Sequence, residues 1–266
     1  MSNSLSQRQQ ALKQEFEQNR GYWNEVWDRI LTLSPDFFEA YSKFSSVPWK
    51  TGSLEPKVRE FIYIAIDSAT THLFEPGIRI HMQNAFAHGA TEQEIMEVLQ
   101  LTSVLGIHTC ATGVPILCEE LEAAGLGSGM DGAELSDEQL ALKQRFQALR
   151  GYWSPLWDQL LELSPAFFEA YLELSAVPWT HGTLSPKVKE LIYIAIDCST
   201  THLYEPGLRL HIRNAIAHGA SKAEIMEVFQ LVSVLGIHSC TVGVPIMAEE
   251  ASRFAGTTTA TPAEGC

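Results

Sequence analysis

Apolar residues recur along the chain in steps of three and four. Leu12, Phe16, Trp23, Val26, Trp27 and Ile30 follow this rhythm, the period of one face of an α-helix. Ile62, Ala65, Ile66 and Ala69 mark the inward face of a helix expected from Pro56 to Leu73, with Pro76-Gly77 interrupting it. A further helix is expected from Ile78 to His88, stopped at Gly89, whose type suits a left-handed C-terminal position. Thr91-x-x-Glu94 has the form of a capping box before the apolar positions Ile95, Val98, Leu99, Thr102 and Leu105. That helix should end near Gly106, and another should begin around Thr109. Ser34-Pro35 and Ser185-Pro186 place an N-cap serine before a proline at the first helical position, and Glu55-Pro56 places an acid there. Ile62–Ile66 is β-branched enough to suggest a buried strand, but the proline start and the flanking spacing favour helix. The expectation is an all-α chain.

The chain is also one unit written twice. Arg20-Gly-Tyr-Trp23 returns as Arg150-Gly-Tyr-Trp153, and Gly113-Val-Pro-Ile116 returns as Gly243–Ile246. The offset stays at 130 residues from about residue 11 to residue 120, with about two-thirds of the positions identical. Such a unit is too long for a solenoid repeat and large enough for a core of its own. The expected organisation is a first helical domain at 1–124, a Gly-rich linker at 125–134, a second domain at 135–253 and a flexible tail at 254–266. Two such units should be related by a pseudo-twofold axis. Each copy should hold six or so helices and no strand.

Composition narrows the function classes. Eighteen Lys and Arg stand against 32 Asp and Glu, a formal net charge of -14. Such a surface repels nucleic acid and anionic membranes, and no unbroken apolar run approaches the roughly 20 residues of a membrane span. The polar N-terminus does not read as a signal peptide. Five cysteines, none in a C-x-x-C pair, make a disulfide framework improbable and fit a reducing cytoplasm.

The polar residues present in both copies carry the candidate chemistry. They include Glu60/Glu190, Asp67/Asp197, His72/His202, Glu75/Glu205, Arg79/Arg209, His81/His211, His88/His218 and His108/His238. Only His181 of the nine histidines lacks a counterpart. The densest stretch is Glu60-x11-His72-x2-Glu75-Pro-Gly-x-Arg79-x-His81.

The helical repeat, the Arg/Lys-Glu-x-Ile-x-x-Ala-Ile helix and the later His-x-x-Asn-Ala-x-x-His-Gly-Ala stretch resemble the carboxymuconolactone decarboxylase-like superfamily, which includes alkylhydroperoxidase D. The resemblance covers nearly all of both copies. It implies an all-α fold assembled as trimers or hexamers, so that this double-length chain would form a homo-oligomer, a trimer of two-domain chains. Thiol-bearing members carry Glu-x11-Cys-x2-Cys-x3-His. Here His72 and Glu75 stand at the two cysteine positions, His202 and Glu205 do so in the second copy, and the histidine arrives two residues late. Peroxidatic chemistry needs a thiolate and a resolving thiol, so a thiol peroxidase is excluded. The decarboxylase branch lacks the dithiol as well.

Two chemical readings remain. In the first, His72, Glu75 and His81, with Glu60 as orienter, perform acid–base catalysis. Glu190, His202, Glu205 and His211 do the same in the second copy. Arg79 and Arg209 would anchor a substrate carboxylate, and Trp49, Trp179, His108 and His238 would line the site. In the second, His72, Glu75 and His81, or His202, Glu205 and His211, bind a divalent metal such as iron, manganese or zinc. No cofactor is required by the first. The blander alternatives are helix-end roles for His88 and His108 and a packing role for Cys110 and Cys240. The preferred reading is a lyase, a decarboxylase or isomerase acting on a small carboxylated lactone or keto acid, by resemblance from aromatic catabolism. A metal-dependent oxygenase or hydrolase is the second reading, and a non-catalytic small-molecule binding protein the third.

Overall fold

A computed structural model describes residues 5–127 and 134–258. The centre of the expected linker (128–133) and the end of the expected tail (259–266) lie outside the described residues. Every regular element among the described residues is helical. The first copy supplies α1 Gln7–Arg20, α2 Glu25–Leu33, α3 Pro35–Thr51, α4 Pro56–Ser68, α5 Glu75–Ala87, α6 Glu92–Ser103 and α7 His108–Ala123. The second supplies α8 Asp137–Arg150, α9 Pro155–Leu163, α10 Pro165–Thr180, α11 Pro186–Cys198, α12 Glu205–Ala217, α13 Lys222–Ser233 and α14 His238–Thr258. A single 3-10 turn joins α6 to α7 and another joins α13 to α14.

Several helix ends follow the sequence signals. Thr91 accepts from the Glu94 amide while the Glu94 carboxylate accepts from the Thr91 amide, and Ser221 and Glu224 repeat the exchange. Ser185 accepts from the Val188 amide, whereas Ser34 makes no such side-chain bond. Gly89 takes φ +82 just beyond α5, the conformation glycine adopts without a Cβ penalty.

Four expectations need correction. The run from Leu12 to Ile30 is two helices, because Gly21 turns left-handed at φ +74 and ends α1. The helix from Pro56 stops at Ser68 rather than Leu73. Pro76 stands in the first turn of α5, which begins at Glu75 rather than Ile78, since a helix's first turn needs no N–H from that residue. His72 therefore lies in the connection, and His72 and Glu75 do not share a helix face. Trp49, named as a site-lining residue, sits within α3, directly after Pro48. Pro48 costs α3 the bond to the Phe44 carbonyl one turn from its end, and one residue on Arg20 donates to the Ser45 carbonyl.

Unbroken apolar runs also understate two stretches. Glu92–Ala123 and Lys222–Phe254 are long and apolar enough, by length and composition, to cross a membrane. Glycine, threonine and histidine interrupt the apolar letters without lowering the average enough to matter. Mostly buried core helices meet the same criterion, whereas 28% of each of these apolar windows is buried.

The sequence repeat and the compact units of the fold are different partitions of the chain. Among the described residues, one unit comprises 5–53 with 229–258, and the other 54–127 with 134–228. In the first, Phe16, Trp27, Ile30, Leu31 and Phe38 of the first copy enclose Ile237 of the second. In the second, Phe146, Trp157, Leu161 and Phe168 enclose Ile107 of the first copy. A further core in this unit mixes Phe61, Ile64, Val98 and Leu101 with Leu184, Ile192 and Ile196. Each such fully buried aliphatic or aromatic side chain contributes about 1.5–3 kcal/mol relative to exposure. Here the two copies form a joint core, and the equivalent residues Thr71 and Thr201 meet at 3.4 Å, as residues beside a local twofold would.

Two buried ion pairs link the copies within this unit. The Arg59 Nε donates to Glu227 at 2.6 Å, and Glu227 also accepts from the Leu54 amide. At the equivalent positions Lys189 lies 3.1 Å from Glu97, and Glu97 accepts from the amides of Thr183 and Leu184. A Cβ on Gly182 would collide with Glu97 and the Pro178 carbonyl, so this approach requires glycine.

Candidate active site

Helices α11 and α12 build the centre of the site. The apolar face of α11 is buried on nearly every side, and it carries Glu190, Tyr193 and Asp197 into the interior one turn apart. Helix α12 brings His211 alongside. Its Nδ1–H donates to Glu190 at 2.6 Å, while Asn214 donates to the other Glu190 oxygen at 3.2 Å. The carboxylate can only accept, so Nδ1 carries the proton and Nε2 is left to act. The ring stacks on Tyr193 at 4.5 Å between centroids. The first copy repeats the arrangement: His81 donates to Glu60 at 2.6 Å, Asn84 donates to Glu60, and His81 stacks on Tyr63.

Beyond His211 lies a cavity of about 390 Å³, a size that suits a small organic acid. The two copies share its construction. Leu101, Val104, Ile107 and His108 come from the first; Arg150, Tyr152, Tyr171, Tyr193, Asp197, Tyr204 and His211 come from the second. Arg150 is the sole Lys or Arg among the lining residues. Its Nη1 donates to the Ser175 carbonyl at 3.1 Å, and its guanidinium lies 5.0 Å from the Trp179 ring centroid and 6.0 Å from that of Tyr193. Burial works against this charge, but the phenolic oxygens of Tyr193, Tyr152 and Tyr171 and the Glu190 carboxylate outweigh it, and the guanidinium stays charged. Burial pushes Tyr152 up to about 12, against the opposing charge of Arg150.

At the cavity wall, Asp197 stands among three histidines. Its Oδ1 is 3.8 Å from His108 Nδ1, and its Oδ2 is 4.0 Å from His211 Nε2. The Oδ2 has no hydrogen-bond partner among the described residues. It lies against the first turn of α12, where a Cβ on Gly207 would collide with it. Burial, reinforced by the Glu190 charge, pushes Asp197 up to about 8. His108 Nδ1 and His202 Nε2 are 2.7 Å apart, and His108 stacks on Tyr204 at 3.9 Å. Burial, together with the proximity of His202 and His211, lowers His108 to about 3, and burial lowers His202 as well. Leu203, next to His202, holds φ +51, as Leu73 beside His72 holds +50. A left-handed leucine costs of the order of 1–3 kcal/mol and persists only where its surroundings impose it.

The sequence-predicted residues thus divide. Glu190, His202, His211 and His108 converge, and Glu60 pairs with His81. Glu75 and Arg79 pair with each other on the surface, about 70% exposed, as do Glu205 and Arg209. Neither Arg79 nor Arg209 lines the cavity, and neither do Trp49 and Trp179; Trp49 lies beneath the Arg20 guanidinium and Trp179 beneath that of Arg150. His72 is 3.9 Å from Asp67, and His238 opens α14. His88 caps the end of α5. Cys110 and Cys240 are partly buried against apolar cores. The metal trio expected from His202, Glu205 and His211 is not assembled, because Glu205 faces out; Asp197 and His108 stand near His202 instead. Sequence reading missed Arg150, although Arg20-Gly-Tyr-Trp23 and Arg150-Gly-Tyr-Trp153 were the clearest doubled motif.

Comparison with known proteins agrees with this architecture. The model of the carboxymuconolactone decarboxylase family matches residues 35–106 and again 165–237. A crystal structure from Burkholderia xenovorans LB400, provisionally assigned as a gamma-carboxymuconolactone decarboxylase subunit, superposes with a TM-score of 0.88 at 45% sequence identity. The match covers 92% of this chain and 98% of that one. No curated protein matches the chain. With both repeats matched and the whole two-copy architecture shared, the chain belongs to the carboxymuconolactone decarboxylase family.

Proposed function

We propose that the protein is a lyase that decarboxylates a small carboxylated lactone or keto acid, using His211 and Glu190 for proton transfer and Arg150 to hold a carboxylate. The observation that carries this reading is the buried His211–Glu190 pair opening onto a cavity whose sole guanidinium is Arg150. The family and the provisional assignment of the Burkholderia protein support the reaction class.

In the proposed reaction, Arg150 binds a carboxylate that the product retains, through the planar donor fork suited to that group. The bond to the departing carboxylate breaks, its electron pair moves into the adjacent carbonyl, and carbon dioxide leaves. His211, carrying at Nε2 a proton taken from solvent, delivers it to the resulting carbanionic carbon. Glu190 fixes the tautomer by accepting from Nδ1 throughout. The tyrosines and leucines around the cavity exclude water, which strengthens each of these interactions. Glu60 and His81 are assigned the same roles in the first copy. Glu75, Glu205, Arg79 and Arg209 have no part in the proposed chemistry.

Further expectations complete the proposal: a homo-oligomer, a cytoplasmic location and no obligatory organic cofactor. Ile116 and Leu117 on α7, and Ile246 and Met247 on α14, are each about half exposed, which favours contact between copies. A monomeric mass in light scattering would count against assembly.

The decisive assay screens carboxylated lactones and keto acids for carbon dioxide release in deuterated water. Turnover with deuterium placed on the product carbon is expected, and His211→Gln should lose about 10²–10⁴-fold in rate. Saturable carboxylate binding without turnover would replace the enzyme by a binding protein. Undiminished turnover in His211→Gln would remove the assigned acid.

A further inference from the structure

We infer that His108, Asp197 and His202 form a binding site for a first-row divalent cation, assembled across the two copies. His108 begins α7 of the first copy, Asp197 ends the buried run of α11, and His202 lies in the connection between α11 and α12. Their donor atoms all lie within 4.8 Å of one another. Asp197 is buried, His108 and His202 are partly buried, and His108 and Asp197 line the cavity.

The donor set decides the class of ion. Two imidazoles and one carboxylate, with remaining positions open toward a cavity, suit iron(II), manganese, cobalt or zinc better than calcium or magnesium. The alternative is a plain hydrogen bond between imidazoles, since His108 Nδ1 and His202 Nε2 are 2.7 Å apart. That bond leaves Asp197 unexplained. A buried carboxylate normally has partners that satisfy both oxygens, yet Oδ2 has none among the described residues and Oδ1 lies 3.8 Å from the His108 nitrogen. A cation between the three groups answers both the clustering of donors and a buried carboxylate whose Oδ2, 4.0 Å from His211 Nε2, makes no hydrogen bond among the described residues. Two nitrogens bound at about 2.0–2.1 Å to one tetrahedral ion stand roughly 3.3 Å apart, so the two rings need separate by only about half an ångström from 2.7 Å. The place of His202 outside α11 and α12 permits that shift. Position and chemistry set this site apart from the His-x-x-Glu spacing: Glu205 is replaced by Asp197, and the second histidine comes from the other copy.

The test needs no substrate. Metal-depleted full-length protein is titrated with Co2+, followed by visible ligand-field absorption, and with Zn2+, followed by calorimetry. Saturable binding is expected in the wild type. His108→Ala and His202→Ala should each bind one equivalent fewer, or bind that equivalent at least about 100-fold more weakly. His218→Ala, an exposed histidine at the end of α12, should bind as the wild type does. Asp197→Asn, nearly isosteric, gives the same answer should a histidine variant fail to fold. Equal stoichiometry and affinity in the wild type and in the ligand variants would overturn the site, as would the absence of binding in the wild type. His211→Gln should retain the ion, so failure of the metal site and failure of the proposed reaction are separately visible.

Discussion

On α12, Arg209 reaches back one turn to Glu205, and both side chains are about 69% exposed. Two residues further on, His211 turns inward to Glu190, and those side chains are 10% and 4% exposed. Both pairs recur in the first copy, as Glu75–Arg79 and Glu60–His81. In the sequence they stand within one short motif and are equally doubled. In the fold one is a solvated helix pair, and the other is held in a low-dielectric interior where each hydrogen bond has a specific consequence. Doubling therefore records common ancestry of the copies, while burial separates chemistry from surface.

The buried class extends to Arg59–Glu227, with side chains 8% and 2% exposed. Arg59→Met should cost about 3–5 kcal/mol in denaturant unfolding, because it leaves Glu227 charged and uncompensated. The double change Arg59→Met/Glu227→Leu should recover most of that loss, since removing both charges also removes their desolvation cost. A single variant as stable as the wild type would erase the distinction between the two classes.

Glu190→Gln probes the buried pair between α11 and α12. The amide can present its nitrogen to His211 and disturb the tautomer, so turnover should fall about 10²-fold or more while the fold is retained. The pH–rate profile should change shape as well as height, which a purely structural role would not produce. A drop in stability with an unaltered profile would reduce Glu190 to a packing residue.

How far all this was legible in the sequence depends on the kind of information sought. Periodicity located the helices because an apolar face repeats every turn. Capping at Thr91 and Ser221 was legible because both partners lie within four residues. The boundary at Ser68 was not, since nothing local distinguishes a helix that ends there from one running on to Leu73. The pairing of Glu60 with His81 was within reach, as both belong to one doubled stretch. The contribution of His108 to the second copy's cavity was not. An apolar face shows that something covers it, and two copies with matching apolar positions are equally good covers; Ile107 and Ile237 pack on the opposite copies' helices for reasons that are three-dimensional. Arg150 was overlooked because an arginine at a helix C-terminus reads as a favourable dipole partner.

Close approach supplies a third probe. Gly207→Ala would place a methyl group against the Asp197 carboxylate, whereas Gly106→Ala meets open space. The first should cost about 1–3 kcal/mol through displacement of α12 from Asp197. The second should be close to neutral. Thermal unfolding of the two variants in parallel separates them, and equal melting temperatures would mean that α12 adjusts freely.

The smallest effect is the most informative about the surface pair. Exposed i, i+4 ion pairs contribute about 0.3–0.5 kcal/mol and weaken with salt. Arg209→Met should therefore change stability by no more than about 0.5 kcal/mol, and any loss should disappear at high ionic strength. Turnover on the substrate identified by the screen should stay within about twofold, because Arg209 has Glu205 for a partner and lies outside the cavity lining. Arg150→Met offers the contrast: charge-assisted bonds to a carboxylate contribute about 1.5–3 kcal/mol, so KM should rise at least tenfold. If instead Arg209→Met raised KM tenfold and Arg150→Met did not, the carboxylate would bind at the first turn of α12, and the surface pair would become the recognition element that its place in the sequence first suggested.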